Sequence, residues 1–265
     1  TGGELHKTRV PDAVGIPQWL AERARVVAVD GLCQSVSAVA ELKEALGDDG
    51  LVVDVPDLLE EIWEDRPSVP VSPVTTLDVE CFGGVPRVEK LSWLRKWMLL
   101  QGYDKVLLSS LDEIAWILNV RGADIEYNPL VISYLLVSQD YVKWFVRKSA
   151  SYGDVDPDTA DSFTELQFDG VSVEDYDAVY MGLADFGGED SAGTIFVDPS
   201  TLNCHVADYL ETVFTRQGIV RGVSPVILEK SVKSPSEIAH LRQTFIDDGV
   251  AMECFLHWLD EEVAT

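Results

Sequence analysis

The stretch from Leu111 to Tyr134 reads LDEIAWILNVRGADIEYNPLVISY and contains a helix signal, a turn signal and a strand signal in that order. Apolar residues at helical spacing predict a short helix over Asp112–Leu118. The apolar run Leu130–Val137 predicts a strand, and the Asn128-Pro129 pair before it predicts a turn. A helix that leads through a turn-rich loop into a strand is typical of an α/β domain.

The region before this stretch predicts a second, smaller α/β unit. The segments Arg25–Val29 and Leu51–Val55 have strand-like composition, and helical spacing over Ser35–Leu46 lies between them. Strand, helix and strand in this order indicate a βαβ unit with parallel strands. A short helix over Leu58–Trp63 is predicted to follow.

A proline-rich segment separates the two units. Arg66–Pro73 carries three prolines in its last seven residues, which forbids a helix and favours an extended linker. After this boundary the sequence predicts helices over Val88–Gln101, Glu174–Phe186 and Leu202–Gln217, and strands over Lys105–Ser109, Tyr141–Val146, Gly193–Val197, Ile219–Val220 and Val226–Leu228. The short interval between residues 137 and 141 predicts a hairpin, so we expect a mixed sheet.

The last segment begins with a helix-start signal. Ser234 can cap a helix, Pro235 suits the first helical position, and Glu237 completes a capping box. Apolar residues then recur at helical spacing over roughly 28 residues, at Ile238, Leu241, Phe245, Met252, Leu256, Leu259 and Val263. An apolar stripe of this kind needs a partner surface.

The composition indicates a folded and strongly acidic protein. Hydrophobic residues make up 46% of the chain, and the formal net charge is −26. This charge repels nucleic-acid phosphates and anionic membrane surfaces, so we expect no nucleic-acid or membrane partner. The apolar runs are shorter than the ~18 residues that suggest a membrane span. The four cysteines form no CxxC pair, so reduced thiols in the cytoplasm are expected.

The common catalytic motifs are absent from the sequence, including the nucleophile elbow, the P-loop, H-E-x-x-H and the dinucleotide-binding glycine motif. His257 has Glu253 and Glu261 four residues to either side, and such a trio can in principle ligate a metal. Far more often it is a solvated helix face with weak charge pairing, which is the interpretation we adopt. The sequence therefore predicts no catalytic residue and no metal ligand in this chain.

Polar and turn-forming residues cluster between the predicted helix and the predicted strand, at Asn119, Arg121, Asp124, Tyr127 and Asn128. Loops that hold such side chains beside a rigid sheet often bind ligands, so these five residues are the candidate substrate-binding site. The alternative is a structural loop in which Arg121 pairs with Asp124 and Asn128-Pro129 sets a turn. The residues alone favour the structural alternative.

The stretch LDEIAWILNVRGADIEYNP resembles a signature of the second domain of eukaryotic-type Xaa-Pro aminopeptidases, the aminopeptidase P family. The usual form in that family is LDEIAW, two or three apolar residues, N-x-R-G-S/A-D-I and then N-P. Three further segments are similar to the family in the same order, namely Ile62–Pro67 (IWEDRP), Ser231–Ala239 (SVKSPSEIA) and Asp247–Ala251 (DDGVA). The chain is therefore identified as a member of this family.

The resemblance implies an α/β fold made of creatinase-like N-terminal domains, whose mixed sheets are flanked by helices, plus the first helix of a missing pita-bread domain. Residues 1–70 would be the later part of the first creatinase-like domain and residues 74–230 the second. Residues 233–265 would be the first helix of a truncated catalytic domain. Both ends are then expected to be cut within a longer protein.

The resemblance also implies the activity of the parent protein. Members of the family are proline-specific metallopeptidases, hydrolases that remove the N-terminal residue preceding proline from peptides. Their two metal ions, usually manganese, are bound by two Asp, one His and two Glu, and these ligands would all follow Thr265. We therefore expect this chain alone to be inactive and to hold no cofactor.

The partners implied are a peptide with proline at its second position, the parent's own catalytic domain and a second copy in a homodimer. Since the N-terminal domains of the family help to wall the active site, the loop 119–128 is expected near the peptide. Two alternatives stay open. The chain could be a stand-alone creatinase-like binding or assembly module without catalysis. It could also belong to a creatinase or a prolidase, although those relatives do not usually carry N-x-R-G-x-D-I.

Overall fold

The computed structural model describes residues 5–8, 10–55, 57, 59–60, 62–82, 84–147, 157–185 and 193–263. The first unit consists of α1 (Ile16–Ala21), β1 (Val26–Val29), α2 (Val36–Leu46) and β2 (Leu51–Asp54). Strands β1 and β2 run parallel, with Val26 opposite Leu51, and α2 connects them. The predicted βαβ unit is confirmed.

Helix α2 begins and ends at the residues that the sequence signals. The Ser35 hydroxyl oxygen accepts a hydrogen bond from the amide of Ala38 at 3.2 Å. The chain leaves the helix at Gly47 with a φ of 70°, a conformation that glycine adopts without steric cost. Local chemistry at both ends therefore defines this helix.

The described residues of the stretch 58–63 form no regular helix as predicted, but turns in which the amides of Ile62 and Trp63 donate to the Leu59 carbonyl. Leu58 and Glu61 lie outside the described residues. Asp57 accepts a hydrogen bond from the amide of Leu59 and forms an ion pair with Arg66. An aspartate that bonds the amide two residues ahead competes with helix formation and favours a turn.

The second unit contains a larger set of elements. They are β3 (Thr75–Thr76), α3 (Val79–Phe82), α4 (Arg87–Gln101), β4 (Lys105–Leu108), α5 (Leu111–Leu118), β5 (Val120–Arg121), β6 (Ser133–Ser138), β7 (Val142–Val146), α6 (Pro157–Phe168), β8 (Val171–Asp175), a 3-10 turn (Tyr176–Ala178), α7 (Val179–Ala184), β9 (Ile195–Val197), α8 (Cys204–Val213), β10 (Ile219–Arg221), α9 (Pro225–Ser231) and α10 (Pro235–Val263).

Six of these strands form one mixed sheet in the order β10-β9-β4-β6-β7-β8. Strand β6 pairs antiparallel with β4 and β7, whereas the pairs β10–β9, β4–β9 and β7–β8 are parallel. The hairpin places Ser133 opposite Val146, as the short interval between the two runs predicts. Strands β3 and β5 form a separate antiparallel ribbon, with Thr75 opposite Arg121.

Helices cover both faces of the six-stranded sheet. Alternation along β4 places Val106 and Leu108 in one apolar core and Leu107 in the other. The first core includes residues of α4, α5 and α6, and the second includes residues of α7 and α8. The predicted mixed α/β class is confirmed, with the sheet as the middle layer.

Two predicted elements of this unit are wrong. Val226–Leu228 lies in the helix α9, because the Ser224 hydroxyl accepts a bond from the amide of Val226 and Pro225 occupies the first helical position. The helix predicted over Glu174–Phe186 is divided between β8, the 3-10 turn and α7. Asp175 accepts a bond from the amide of Asp177 at 3.1 Å, which ends the strand in a turn. Phe186 lies outside the described residues.

The two units are joined by reciprocal hydrogen bonds at the starts of α2 and α8. The amides of Val36 and Ser37 donate to the carbonyls of Leu202 and Pro199, at 3.0 and 2.9 Å. In return, the amide of Cys204 donates to the Gln34 carbonyl at 2.9 Å. Each helix start is thus satisfied by the other unit, which fixes how the first unit sits on the second.

The final helix α10 spans 29 residues and stands apart from both cores. The Ser234 hydroxyl accepts a bond from the Glu237 amide, and the Glu237 carboxylate accepts one from the Ser234 amide, as the capping box predicts. Along Pro235–Val263 no residue is buried, and the apolar stripe is exposed, with Phe245 73% accessible.

Candidate functional site

The loop that carries the five candidate residues begins where α5 ends. Asn119 closes that helix in the left-handed conformation, with a φ of 54°. Asparagine tolerates this conformation better than most residues, because its short polar side chain bonds locally. The Asn119 carbonyl accepts a hydrogen bond from the amide of Leu77 at 2.8 Å, which brings the preceding segment of the chain to the loop.

The side chain of Asn119 is buried and binds Lys90 on α4. The Lys90 ammonium donates to Asn119 Oδ1 at 2.5 Å and to the Trp116 carbonyl at 2.6 Å. It also lies 4.2 Å from the centre of the Trp116 ring. Asn119 Nδ2 donates to the Val85 carbonyl at 3.0 Å, so both the oxygen and the nitrogen of the side-chain amide form hydrogen bonds.

Burial lowers the pKa of Lys90 from 10.5 to about 8. The nearby carboxylate of Glu237 opposes this shift, whereas the charges of Arg121 and Arg87 add to it. Glu237 belongs to the first turn of α10. A buried ammonium of the second unit is therefore electrostatically linked to the start of the last helix.

Arg121 lies on β5, half-buried, and its guanidinium turns back toward α5. Nη1 donates to the carbonyls of Ala115 and Val120, at 3.1 and 2.8 Å. Burial lowers the pKa of Arg121. The Arg121–Asp124 ion pair of the structural alternative does not form between these two described residues, because the Asp124 carboxylate is occupied by other donors.

Asp124 ties the loop to the proline-rich linker. Its Oδ1 accepts from the amide and the hydroxyl of Ser72, at 2.7 and 2.6 Å. Its Oδ2 accepts from the amide of Ile132 at 2.8 Å. The buried carboxylate thus joins the loop to the distant linker and to the start of the following strand, and it holds the base of the loop in place.

The tip of the loop is the turn Ile125–Asn128, which protrudes from this base. The amide of Asn128 donates to the Ile125 carbonyl at 3.1 Å. Tyr127 is 97% exposed and has a φ of 60°, an uncommon conformation for a bulky residue. Of the five candidates, Asn119, Arg121 and Asp124 point inward and support the loop, while Tyr127 and Asn128 face solvent.

A groove of about 370 Å³, which the sequence does not predict, lies between α4 and the start of α10. Its walls include Trp93, Trp116, Val232 and Lys233, and Lys90 and Glu237 lie within it. A smaller adjoining pocket contains Asn119 and Arg121. Lys90 and Trp93 are three residues apart and therefore share a face of the helix. This spacing is the sequence pattern that could have indicated the groove.

A second buried polar cluster joins α5, β9 and α9. The Ser224 hydroxyl donates to the Glu113 carboxylate at 2.5 Å, and the Ser224 amide donates to Asp198 at 2.8 Å. Burial is the main cause of a raised pKa at Glu113. The cluster is enclosed by the fold, and its role is to connect the three elements.

Across the described ranges, no group of three or more His, Cys, Asp or Glu residues could hold a metal ion. His257 lies 3.6 Å from Glu261 on the exposed surface of α10. None of the described helices is both long enough and apolar enough to cross a membrane.

The fold and the loop identify the class of protein: the chain belongs to the creatinase/prolidase N-terminal domain family, whose model matches residues 65–237. The Xaa-Pro aminopeptidase app-1 of Caenorhabditis elegans is 28% identical over 98% of this chain. A probable Xaa-Pro aminopeptidase P of Botryotinia fuckeliana is 31% identical over 98% of the chain. The chain spans 42% and 40% of the lengths of these two relatives.

A solved structure agrees with these relatives. The X-prolyl aminopeptidase of Caenorhabditis elegans, described as a cytosolic enzyme with a di-nuclear active site, superimposes with a TM-score of 0.81 at 27% identity. The match covers 98% of this chain and 42% of the worm enzyme. The predicted relationship to Xaa-Pro aminopeptidases and the predicted creatinase-like fold are therefore confirmed. The domain limits at residues 70, 74, 230 and 233 stay predictions.

Proposed function

We propose that this chain is the N-terminal part of a metal-dependent Xaa-Pro aminopeptidase, which removes the N-terminal residue preceding proline from peptides. The observation that carries the proposal is the superposition of nearly the whole chain on the worm X-prolyl aminopeptidase. The chain corresponds to about two fifths of that enzyme, which supports the further proposal that it is inactive alone.

The metal centre is proposed for another part of the parent. The described residues of this chain offer no suitable cluster of ligands, so they do not fit a two-metal site. Two manganese ions are proposed for the parent, held by residues outside the described part of this chain, and they would supply Lewis-acid chemistry there. The contribution of this chain is to position and enclose the peptide.

We further propose that residues 1–70 and 74–230 are two creatinase-like domains, and that residues 233–265 begin the catalytic domain. The exposed apolar stripe of α10 supports this division, since a stripe of this length needs a covering surface. The parent's own catalytic domain is the proposed cover.

The loop 119–128 is proposed to lie beside the bound peptide. Tyr127 and Asn128 would make the contacts, because they are the candidates that face solvent. Asn119, Arg121 and Asp124 would keep the loop in position through their buried hydrogen bonds. The further proposals are a cytoplasmic location and a homodimer that completes the wall of the active site.

The test is hydrolysis of an Arg-Pro-Pro peptide, with added manganese, by this chain and by the longer gene product that contains it. We expect release of arginine by the longer protein only. Absence of activity in both would instead favour a stand-alone creatinase-like binding or assembly module. Activity of this chain by itself would contradict its proposed supporting role.

A further inference from the structure

A pocket of about 210 Å³ lies at the carboxyl edge of the six-stranded sheet, and its described lining contains no residue of the loop 119–128. Two of its residues directly follow parallel strands, Ser109 after β4 and Tyr176 after β8, and Thr201 lies in the turn after β9. Tyr134 also lies at this edge, because β6 runs antiparallel to its neighbours and begins here. The pocket is therefore built by four strands of one sheet.

The pocket lies where the chain changes the side of β4 on which it adds strands to the sheet. From β4 the chain adds β6, β7 and β8 on one side of the sheet, and then crosses back to add β9 and β10 on the other. In open α/β sheets, ligands bind outside the carboxyl ends of strands at such a switch point. The topology alone thus marks this edge as a place for a ligand.

The first unit covers the pocket. The loop Leu32–Ser35 forms its outer wall. The hydrogen bonds between the starts of α2 and α8 hold that loop against the second unit, with the Cys204 amide donating to the Gln34 carbonyl. Pockets between two structural units are common ligand sites, because each unit contributes a wall.

The described side chains that line this pocket include no Asp, Glu, Lys, Arg or His. The hydroxyls of Ser109 and Thr201 lie 2.9 Å apart, and Asn203 Nδ2 donates to the Tyr134 hydroxyl at 2.6 Å. Burial, together with the neighbouring Tyr176, raises the pKa of Tyr134, so its phenol stays protonated. Hydroxyl and amide groups of this kind both donate and accept hydrogen bonds.

Tyr176 is the partly exposed aromatic residue of the pocket wall. Its ring packs on that of the buried Tyr134, with the ring centres 5.1 Å apart and the planes 30° from each other. A ligand between the strand ends and the covering loop would contact the Tyr176 ring as well as the hydroxyls. We propose that this pocket binds an uncharged, polyhydroxylated molecule of about monosaccharide size, which contacts both units. This proposal is independent of the peptidase function.

The test is thermal unfolding of this chain with a panel of neutral monosaccharides and polyols, each compared with a hexose phosphate. A ligand that binds only the folded protein raises its unfolding temperature, and we expect a rise of about 2 °C or more for at least one neutral member. Thr201→Val should weaken binding of that molecule about tenfold. Thr212→Val is the matched control, because Thr212 is exposed on α8, and it should leave binding unchanged.

Hydrogen exchange supplies a second readout on the same samples. The bound molecule should slow exchange of the amides in residues 31–36 and 199–205, the two sides of the covering contact. Ser109→Ala should weaken binding as Thr201→Val does, and it serves if the latter fails to fold. A panel without a stabilising member would overturn the proposal. Preference for the hexose phosphate, or binding unaffected by both substitutions, would overturn it too.

Discussion

Lys90 Nζ lies 2.5 Å from Oδ1 of Asn119, and both residues are almost completely buried. This hydrogen bond joins α4 to the residue that ends α5, so the start of the loop 119–128 is anchored in the core of the second unit. Asn119 combines two properties there, a left-handed backbone and an acceptor for a buried ammonium. Few other residues provide both.

We expect Asn119→Ala to lower the free energy of unfolding by about 2–4 kcal/mol, since alanine is strained in the left-handed conformation and leaves the ammonium without its acceptor. Urea unfolding of the purified chain measures the loss. Asn119→Gly is the matched control, because glycine removes the side chain but accepts the backbone conformation. Equal stability of the alanine variant and the wild type would contradict the anchoring role.

The lowered pKa of Lys90 predicts a dependence of stability on pH. In the unfolded chain Lys90 titrates near its ordinary value of 10.5, and in the folded protein near about 8. Between these values the unfolded chain binds more protons, so the stability contributed by this group rises as the pH rises from 8 toward 10.5.

The measurement compares the wild type with Lys90→Met, whose side chain fills similar space without a charge. The difference between the two free energies of unfolding should shift in favour of the wild type by an amount on the order of 2 kcal/mol across that interval. Lys96→Met is the control, because Lys96 lies on the same helix but is exposed. A difference that stays constant from pH 8 upward would show that Lys90 titrates normally.

Glu113 predicts the opposite pH dependence. Burial raises its pKa in the folded protein, so the folded state holds the proton more tightly than the unfolded chain. Its contribution to stability is therefore complete below the unfolded pKa, near 4.5, and is lost as the pH rises toward the folded pKa.

Glu113→Gln keeps an acceptor for the Ser224 hydroxyl and removes the titration. We expect the variant to gain stability relative to the wild type as the pH rises above 4.5. Glu89→Gln, at an exposed position of α4, is the comparison. Parallel pH profiles for wild type and Glu113→Gln would contradict the prediction.

The sequence predicts the βαβ unit, the hairpin and the capping box because each depends on local signals, such as those at Ser35, Gly47 and Ser234. It fails at Val226–Leu228, where an apolar triplet reads as a strand although Ser224 and Pro225 begin a helix. The ribbon between Thr75 and Arg121 is also missed, since two-residue strands have no periodicity.

The candidate site is less predictable than the fold. Spacing selects the loop 119–128, but it cannot tell which side chains point inward, because the partners of Asn119 and Asp124 are Lys90 and Ser72, 29 and 52 residues away. Contacts between residues so far apart in sequence leave no local pattern along the chain. The Arg121–Asp124 ion pair of the structural alternative does not form, because both side chains bond other groups instead.

The left-handed backbone and exposed ring of Tyr127 predict that its replacement affects protein stability and peptide binding differently. The left-handed conformation costs a bulky residue roughly 1 kcal/mol, and glycine removes this cost. Glycine also has more conformational entropy to lose on folding, which offsets part of the gain. Tyr127→Gly should therefore leave the free energy of unfolding unchanged or raise it slightly. In the proposed longer aminopeptidase the same change should raise KM, because the exposed ring is the proposed peptide contact. Tyr127→Asn should behave similarly. An unchanged KM in both variants would limit the loop to a structural role.

The exposed stripe of α10 predicts how this chain and its parent respond to a charge. Phe245→Glu should make the isolated chain less prone to associate and should reduce its binding of a hydrophobic dye, because it divides the apolar surface. In the proposed longer protein the same residue would be covered by the proposed catalytic domain, so the charge should destabilise the fold and lower activity about tenfold or more. Gln243→Lys places a charge on the opposite face of the helix, keeps a donor for Asp247, and should have neither effect. If the two substitutions act alike in both proteins, the stripe is not the surface on which the catalytic domain packs.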